Sequence, residues 1–335
     1  MFLCFIDIKS AFDLVSYGKL FCVLCDRGTP KYLILLLLNW YSLQKLFIKW
    51  DGAFSNEFGM KNGIRQGSCL SPQFFSVYSD ELNSCLASAR IGCHISGRNM
   101  NHLSYADDMV LITADAKSMN LLLGMCEEFA GRNYVTFSTT KTEAMVVKPR
   151  GSKLRTPPDI WLCGVKIKYV NSFKYLGHIV ADDMTDDLDI CREIRNLYVR
   201  GNTIARKFSP LSMEVKASLF KSYCYPLYTS ALWSNYRQGT INRMRVCYND
   251  VVRMLAKVPR WHSASEIFVN NNLRSFWENI RAGSYSLMNR VINCDNLIVQ
   301  TLFHSDAYTF SPTRIRWYRN LFSSNVADVL YPFLQ

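Results

Sequence analysis

Two adjacent carboxylates, Asp107 and Asp108, interrupt a stretch that otherwise reads as an apolar β-hairpin. His102-Leu103-Ser104-Tyr105-Ala106 precedes them and Met109-Val110-Leu111-Ile112-Thr113 follows. A third acid, Asp7, ends a similar apolar run, Phe2-Leu3-Cys4-Phe5-Ile6, 100 residues upstream of Asp107. Acids set against an apolar core are costly unless something pairs with them. A divalent cation is the natural partner, and three carboxylates on apolar strands suit a two-metal site for phosphoryl transfer. Neighbouring residues of a strand face opposite ways, so Asp107 and Asp108 can share a site only at a tight turn. The competing reading is an exposed Asp-Asp turn. The apolar flanks and the presence of Asp7 argue against it.

The elements that must position these acids can be read from periodicity and turn chemistry. Phe2 to Ile8 has the continuous apolar character of a central strand, and helices are predicted over about 16–27 and 30–43. Asp51-Gly52 between Leu46–Trp50 and Ala53–Phe58 predicts a tight hairpin. The loop Lys61 to Leu70 opens a helix, with Ser71 as N-cap and Pro72 in the first turn. The Asp-Asp hairpin covers 102–113, backed by a helix over 116–131 that turns Met119, Leu122, Leu123, Cys126 and Phe129 inward. Strands are expected near 134–138 and 143–148, then a basic, proline-containing loop from Pro149 to Pro158, then short strands over 160–181. Beyond Asp182 the pattern is helical. Ile190, Ile194, Leu197, Ile204 and Phe208 share one face, and Arg192, Arg195, Arg200, Arg206 and Lys207 fall on the other. Further helices are expected near 211–233, 239–257 and 273–293.

Composition sets the class. A chain of 335 residues, 49% hydrophobic and 13% aromatic, belongs to a globular protein with two or three domains. The net charge of +12 is uneven: residues 1–185 hold 20 basic and 16 acidic side chains, residues 186–335 hold 19 and 11. A basic C-terminal half beside an acidic centre suits a polyanionic partner, most simply nucleic acid. Twelve scattered cysteines and no basic leader before the first strand imply reduced thiols and an intracellular setting. Cys22-Val23-Leu24-Cys25 has the spacing of a metal knuckle, but no second pair follows, so packing on an apolar helix is the preferred reading. The run Leu33 to Leu38 is too short for a bilayer, which needs about 20 apolar residues, and reads as a buried helix. No membrane association is expected.

The motifs go further. Phe5-Ile6-Asp7-Ile8-Lys9-Ser10-Ala11-Phe12-Asp13 resembles motif A of reverse transcriptases. Gly63-Ile64-Arg65-Gln66-Gly67-Ser68-Cys69-Leu70-Ser71-Pro72 resembles motif B and Tyr105-Ala106-Asp107-Asp108 motif C. Lys141-Thr142-Glu143 is similar to motif D, and Tyr175-Leu176-Gly177 to motif E. The Ala-Phe-Asp ending of motif A and the Arg-Gln-Gly of motif B are the forms of non-LTR (LINE-type) retrotransposons. The resemblance implies an α+β polymerase palm, an antiparallel sheet backed by helices, over 1–182. A helical thumb-like region over 183–260 and a helical region of uncertain role over 261–335 would follow. It implies RNA-directed DNA synthesis from dNTPs on an RNA template and a DNA primer, with two Mg²⁺ ions for which Mn²⁺ can substitute. Protein partners are not indicated. Nuclear or cytoplasmic ribonucleoprotein localisation follows from the resemblance only.

Roles are implied residue by residue. Asp7, Asp107 and Asp108 would hold the metals with the Ile8 carbonyl, and Lys141 would act as general acid on the leaving pyrophosphate. Phe12 would crowd a ribose 2′-hydroxyl, and Arg65, Gln66 and Gly67 would line the incoming nucleotide. Tyr105, Tyr175, Leu176 and Gly177 would meet the primer or template, and Arg192 and Arg195 would track the duplex backbone. Three departures stand out, one being that neither an endonuclease domain nor a Cys/His knuckle is evident. Only six residues precede Asp7, so the fingers region is expected to be missing and the chain reads as N-terminally truncated. Ser138 stands where the family usually has asparagine. The alternative is therefore a catalytically inactive remnant that at most binds nucleic acid nonspecifically. An intron-encoded maturase fits less well, because motif B has the Arg-Gln-Gly form and no maturase region is evident.

Overall fold

The computed structural model describes residues 1–148 and 156–321. Most of the basic loop expected at Pro149 to Pro158, and the end of the 261–335 region, lie outside the described residues. The chain divides into two compact units, Met1–Asn171 and Ser172–Gln335.

The first unit is mixed. β1 (Phe2–Asp7), α1 (Tyr17–Asp26) and α2 (Lys31–Ser42) lead into four two-residue strands, β2 (Lys45–Leu46), β3 (Lys49–Trp50), β4 (Ala53–Phe54) and β5 (Phe58–Gly59). α3 (Ser71–Ser88) follows, then β6 (Cys93–Ile95), β7 (Arg98–Met100), β8 (His102–Tyr105), β9 (Asp108–Thr113) and α4 (Ala116–Asn133). β10 (Glu143–Val146), β11 (Trp161–Leu162), β12 (Val165–Lys166) and β13 (Lys168–Tyr169) complete it. The main sheet has the order β13-β10-β1-β9-β8, with β1 antiparallel to both neighbours. Its centre is β1 because that segment is apolar on both faces: Leu3, Cys4, Phe5 and Ile6 are all buried. Cys4 and Ile6 pack with Leu111, with Met119, Leu122, Leu123 and Cys126 of α4, and with Phe75, Leu82 and Leu86 of α3.

The second unit is a hairpin followed by helices. β14 (Ser172–Tyr175) and β15 (His178–Ala181) pair, and then come α5 (Asp187–Lys207), α6 (Met213–Cys224), α7 (Gln238–Ala256), α8 (Ala264–Asn270), α9 (Phe276–Ile292), α10 (Leu297–Phe303), α11 (Asp306–Thr309) and α12 (Pro312–Leu321). One core runs from Ile190 through Phe220, Tyr248 and Val251 to Phe276 and Ile280, across the 260/261 break drawn from the sequence. The hairpin that carries Tyr175-Leu176-Gly177 groups with these helices, so the unit begins before the expected 182. Hydrogen bonds explain why: the Ile179 amide donates to Asp189 of α5 at 3.0 Å, and the Tyr228 hydroxyl donates to the Leu176 carbonyl at 2.9 Å.

The α+β class with a helical continuation is as the sequence implied. Several local expectations are corrected. α2 is largely exposed: Leu35, Leu36 and Trp40 face outward, Ile34 and Tyr41 are buried in the core, and Leu37 packs against it part-buried. Cys22 and Cys25 are exposed rather than packed, since the buried stripe of α1 is Leu20, Phe21 and Leu24. Of the strand expected at 134–138, only a single bridge, Ile8 to Phe137, forms, because Ser138 turns the chain by accepting from the Lys141 and Thr142 amides. Ser71 is the first helical residue, not the cap. Among the described residues no helix is long and apolar enough to cross a membrane.

In the second unit α5 and α7 approach closely at Gly201, where an added Cβ would lie 2.6 Å from Val251 Cγ1. Both residues are buried and Val251 is stiff at χ1. Gly201→Val is therefore expected to destabilise the helical unit by about 1–3 kcal/mol through overpacking. Urea unfolding followed by amide exchange in α5 and α7 measures it, and an unchanged midpoint would contradict the close approach.

Candidate active site

The acids meet at the end of the main sheet. Asp7 and Asp108 are cross-strand partners in the β1–β9 ladder, and Tyr105 pairs with Asp108 across the β8–β9 hairpin. The connection is two residues, Ala106 and Asp107, with Ala106 at φ 54°. This is the tight turn that lets Asp107 and Asp108 serve one end of the sheet. The burial premise needs correcting. Asp108 is exposed and Asp107 and Asp7 are half-buried, while Met109, Val110 and Leu111 behind them are buried. What marks the site is crowding of like charge. The Asp108 carboxyl is pushed above its ordinary value by partial burial, then by Asp107, then by Asp7.

The segment 136–142 braces Asp7 from the other side. The Ser138 amide donates to the Asp7 carbonyl at 2.9 Å and the Lys9 amide to the Thr136 carbonyl at 2.8 Å. The Ile8–Phe137 bridge therefore uses the Asp7 carbonyl and the Lys9 amide, not the Ile8 carbonyl. The Asp7 amide donates to Thr142 Oγ1 at 3.3 Å. Thr142 is buried and was missed by sequence reasoning; its only signal is its place beside Lys141. Lys141 is exposed, with Nζ 3.7 Å from Asp7 Oδ2. That oxygen is buried and accepts no hydrogen bond.

These residues fit a divalent cation. An orphaned carboxylate oxygen beside two further acids is an all-oxygen donor set, the kind that hard cations take. Among the described residues no three such side chains are drawn together into a finished cage. Mg²⁺ does not require one, since it is held by one or two carboxylates plus waters and substrate phosphates.

Motif B is stitched to motif A through the backbone. The Gly63 amide donates to the Val15 carbonyl and the Ile64 amide to the Phe12 carbonyl, both at 2.8 Å. Gly63 has φ +90°, and a Cβ there would lie 2.8 Å from the Asp13 carbonyl oxygen. Gly67 (φ +84°) opens onto free space, as a position lining a nucleotide would, whereas Gly63 is the glycine crowded by the protein's own backbone. Arg65, Gln66 and Gly67 are exposed on the loop. Ser71 Oγ donates to the Arg65 carbonyl at 2.6 Å and ties that loop to the start of α3. Phe12 is half-buried, its ring 5.2 Å from that of Phe75. Tyr105 is exposed.

The remaining sequence-stated residues belong to the second unit. Tyr175, Leu176 and Gly177 form the tip of the β14–β15 hairpin. Asp189 is fully buried on α5 and accepts from Arg192 Nε at 2.8 Å, Thr229 Oγ1 at 2.6 Å and Trp233 Nε1 at 2.8 Å, with His178 Nδ1 at 3.1 Å. Burial alone would raise its carboxyl, but hydrogen bonds from His178, Arg192, Thr229 and Trp233 outweigh this and hold it far below the ordinary range. Glu193, also fully buried, binds Arg192 at 3.1 Å and pairs with Arg200. Arg192 and Arg200 are thus internal partners of buried acids, whereas Arg195, Arg206 and Lys207 are exposed.

The model of the family "Reverse transcriptase (RNA-dependent DNA polymerase)" matches residues 2–180. The chain is 21% identical over 338 residues to the RNA-directed DNA polymerase from mobile element jockey of Drosophila funebris, covering 98% of this chain and 36% of that protein. It is 31% identical over 124 residues to the Retrovirus-related Pol polyprotein from type-2 retrotransposable element R2DM of Drosophila melanogaster, covering 37% of this chain and 12% of that one. The structure of apo telomerase from Candida tropicalis aligns with 95% of this chain and 53% of its own, at 13% identity and a TM-score of 0.44. The chain spans about a third or less of the length of these curated relatives.

The crowded carboxylates have a thermodynamic consequence. A carboxyl whose folded pKa is raised is protonated more readily in the folded state, so stability is lost as pH rises through that folded pKa. Asp108→Asn is therefore expected to stabilise the fold at neutral pH, with the gain vanishing below the ordinary aspartate range. Thermal unfolding at both pH values measures it. Equal stability of the two proteins at neutral pH would show that the Asp108 carboxyl is not raised in the fold.

Proposed function

Because the chain belongs to the reverse transcriptase family of RNA-dependent DNA polymerases, we propose that it catalyses, or forms part of an enzyme that catalyses, addition of dNTPs to a DNA primer 3′-hydroxyl on an RNA template. The observation that carries this reading is the Asp7–Asp108 rung with Asp107 on the adjoining turn. Asp7, Asp107 and Asp108 would hold two divalent ions, with the Ile8 carbonyl as a backbone ligand. When bound, Mg²⁺ (or Mn²⁺) supplies activation of the 3′-hydroxyl and neutralises charge on the leaving pyrophosphate. Lys141, reaching over Asp7, donates a proton to that pyrophosphate. Phe12 sits against the sugar and disfavours a 2′-hydroxyl, its ring fixed by Phe75. Arg65, Gln66 and Gly67 contact the nucleotide from a loop anchored by Gly63 and Ser71. Tyr105 and the Tyr175-Leu176-Gly177 turn meet primer or template. The exposed Arg195 contacts phosphates without reading sequence, and Arg192 contributes by fixing α5.

Primer extension on poly(rA)·oligo(dT) with Mg²⁺ tests the reading. Asp107→Ala is expected to lower incorporation about 100- to 1,000-fold, the scale of losing one electrostatic partner of the transition state. Incorporation equal in mutant and wild type would remove the carboxylates from the mechanism. Steeply salt-dependent duplex binding by a wild-type chain that never incorporates dNTPs would favour a non-catalytic nucleic-acid binder instead. In the same assay Phe12→Val is expected to raise ribonucleotide use relative to dNTPs about tenfold; unchanged discrimination would leave Phe12 as a packing residue.

A further inference from the structure

In the second unit two strained turns face each other. Leu176 has φ 46° and Gly177 φ +83°, the pattern of a two-residue type I′ hairpin turn. Leucine is poorly suited to the first of these positions, which favours Asn, Asp or Gly. The second turn holds Thr229 at φ 68°. A β-branched residue with positive φ is a genuine outlier and persists only where its surroundings fix it. Here they do. Thr229 Oγ1 donates to the buried Asp189 Oδ2 at 2.6 Å and accepts from Arg192 Nη2 at 3.3 Å. Asp189 is itself held by Trp233 Nε1 at 2.8 Å and by the Ile179 amide of β15 at 3.0 Å.

Tyr228 lies between the two turns. Its hydroxyl donates to the Leu176 carbonyl at 2.9 Å. Its ring lies against Gly177, where a Cβ would be 2.8 Å from Cε1. We infer that Tyr228, aimed by the Thr229–Asp189 lock, is a positioning residue that sets the conformation of the Leu176-Gly177 turn and so presents it to the primer strand. The inference rests on the proposed role of Tyr175-Leu176-Gly177 at the primer. The device has three separable parts. The hydroxyl fixes the carbonyl of the turn, the ring demands glycine at 177, and the threonine hydroxyl holds tyrosine in place from a backbone conformation that threonine would otherwise leave. Asp189 serves both ends at once, because it binds Thr229 on one turn and β15 behind the other.

The full chain with Tyr228→Phe separates this role from general stability, since only the hydroxyl is lost. Amide exchange over 172–181 is expected to quicken about three- to tenfold, the scale of one hydrogen bond, with the melting temperature unchanged. KM for a primer–template duplex is expected to rise by a similar factor while KM for dNTP stays constant. Thr229→Val, isosteric but without the hydroxyl, should reproduce both effects, and Thr229→Ser should rescue them. Unchanged exchange in Tyr228→Phe overturns the lock. Faster exchange with unchanged duplex KM and unchanged duplex affinity by fluorescence anisotropy overturns the assignment to the primer. An equal rise in both KM values reduces Tyr228 to a general structural role and overturns the inference. A wild-type chain that shows neither extension nor duplex binding overturns the polymerase reading; the exchange data still decide the lock.

Discussion

The rung that sets Asp7 opposite Asp108 is the constraint around which the first unit is arranged. Like charges directly across a ladder repel, and Asp107 on the adjoining turn adds to the repulsion. Such a rung does not form for its own sake. It forms because the residues behind it, Phe2 to Ile6 against Met109 to Thr113, register through their apolar side chains. A slip by one residue would exchange Cys4 and Ile6, which pack with α3 and α4, for Leu3 and Phe5 of the opposite face. The apolar ladder therefore holds the acids together against their own electrostatics.

Backbone strain is concentrated at the same places. Ser10 (φ 47°) turns the chain just after Asp7, and Ala106 (φ 54°) turns it just before Asp107. Gly63 passes so close to Asp13 that no side chain fits. These turns are held from outside. Thr142 and Ser138 bind the backbone of Asp7, and the Gly63 and Ile64 amides bind the loop that follows it. The site is thus a set of strained connections anchored to a rigid sheet, the arrangement in which irregular backbone keeps a defined shape.

The sequence exposed the residues that break a pattern. Asp7 and Asp107-Asp108 interrupt apolar runs, and Asp51-Gly52 falls where the structure has φ 47° and 81°. It did not expose residues whose work is done through the backbone. Nothing in the string distinguishes Gly63 from Gly67, because only the path of the Phe12–Val15 loop decides which glycine is crowded. The basic face of α5 was half misread for a related reason. A helical wheel places Arg192 and Arg200 opposite Ile190 and Leu197, but it treats acids as solvent-facing. Asp189 and Glu193 are fully buried, and each takes an arginine with it. Their spacing of four, next to Ile190 and Ile194, was the available signal. The exposed α2 face could not be anticipated either, since periodicity reports apolar character and not what covers it.

The two units hold the same side chain in opposite settings, and the contrast separates the proposed cation site from a structural one. Asp189 is more deeply buried than any of the three acids of the sheet, yet its carboxyl is held low by four neutral or cationic donors. Asp108 is largely exposed, yet its carboxyl is pushed up by partial desolvation and then by two neighbouring acids, Asp107 and Asp7. Burial alone would rank them the wrong way round. A carboxylate whose partners are all in place has no call for a cation. Asp108 is crowded by its own kind and stands opposite Asp7, whose Oδ2 accepts no hydrogen bond and lies 3.7 Å from Lys141 Nζ, the setting proposed for a cation.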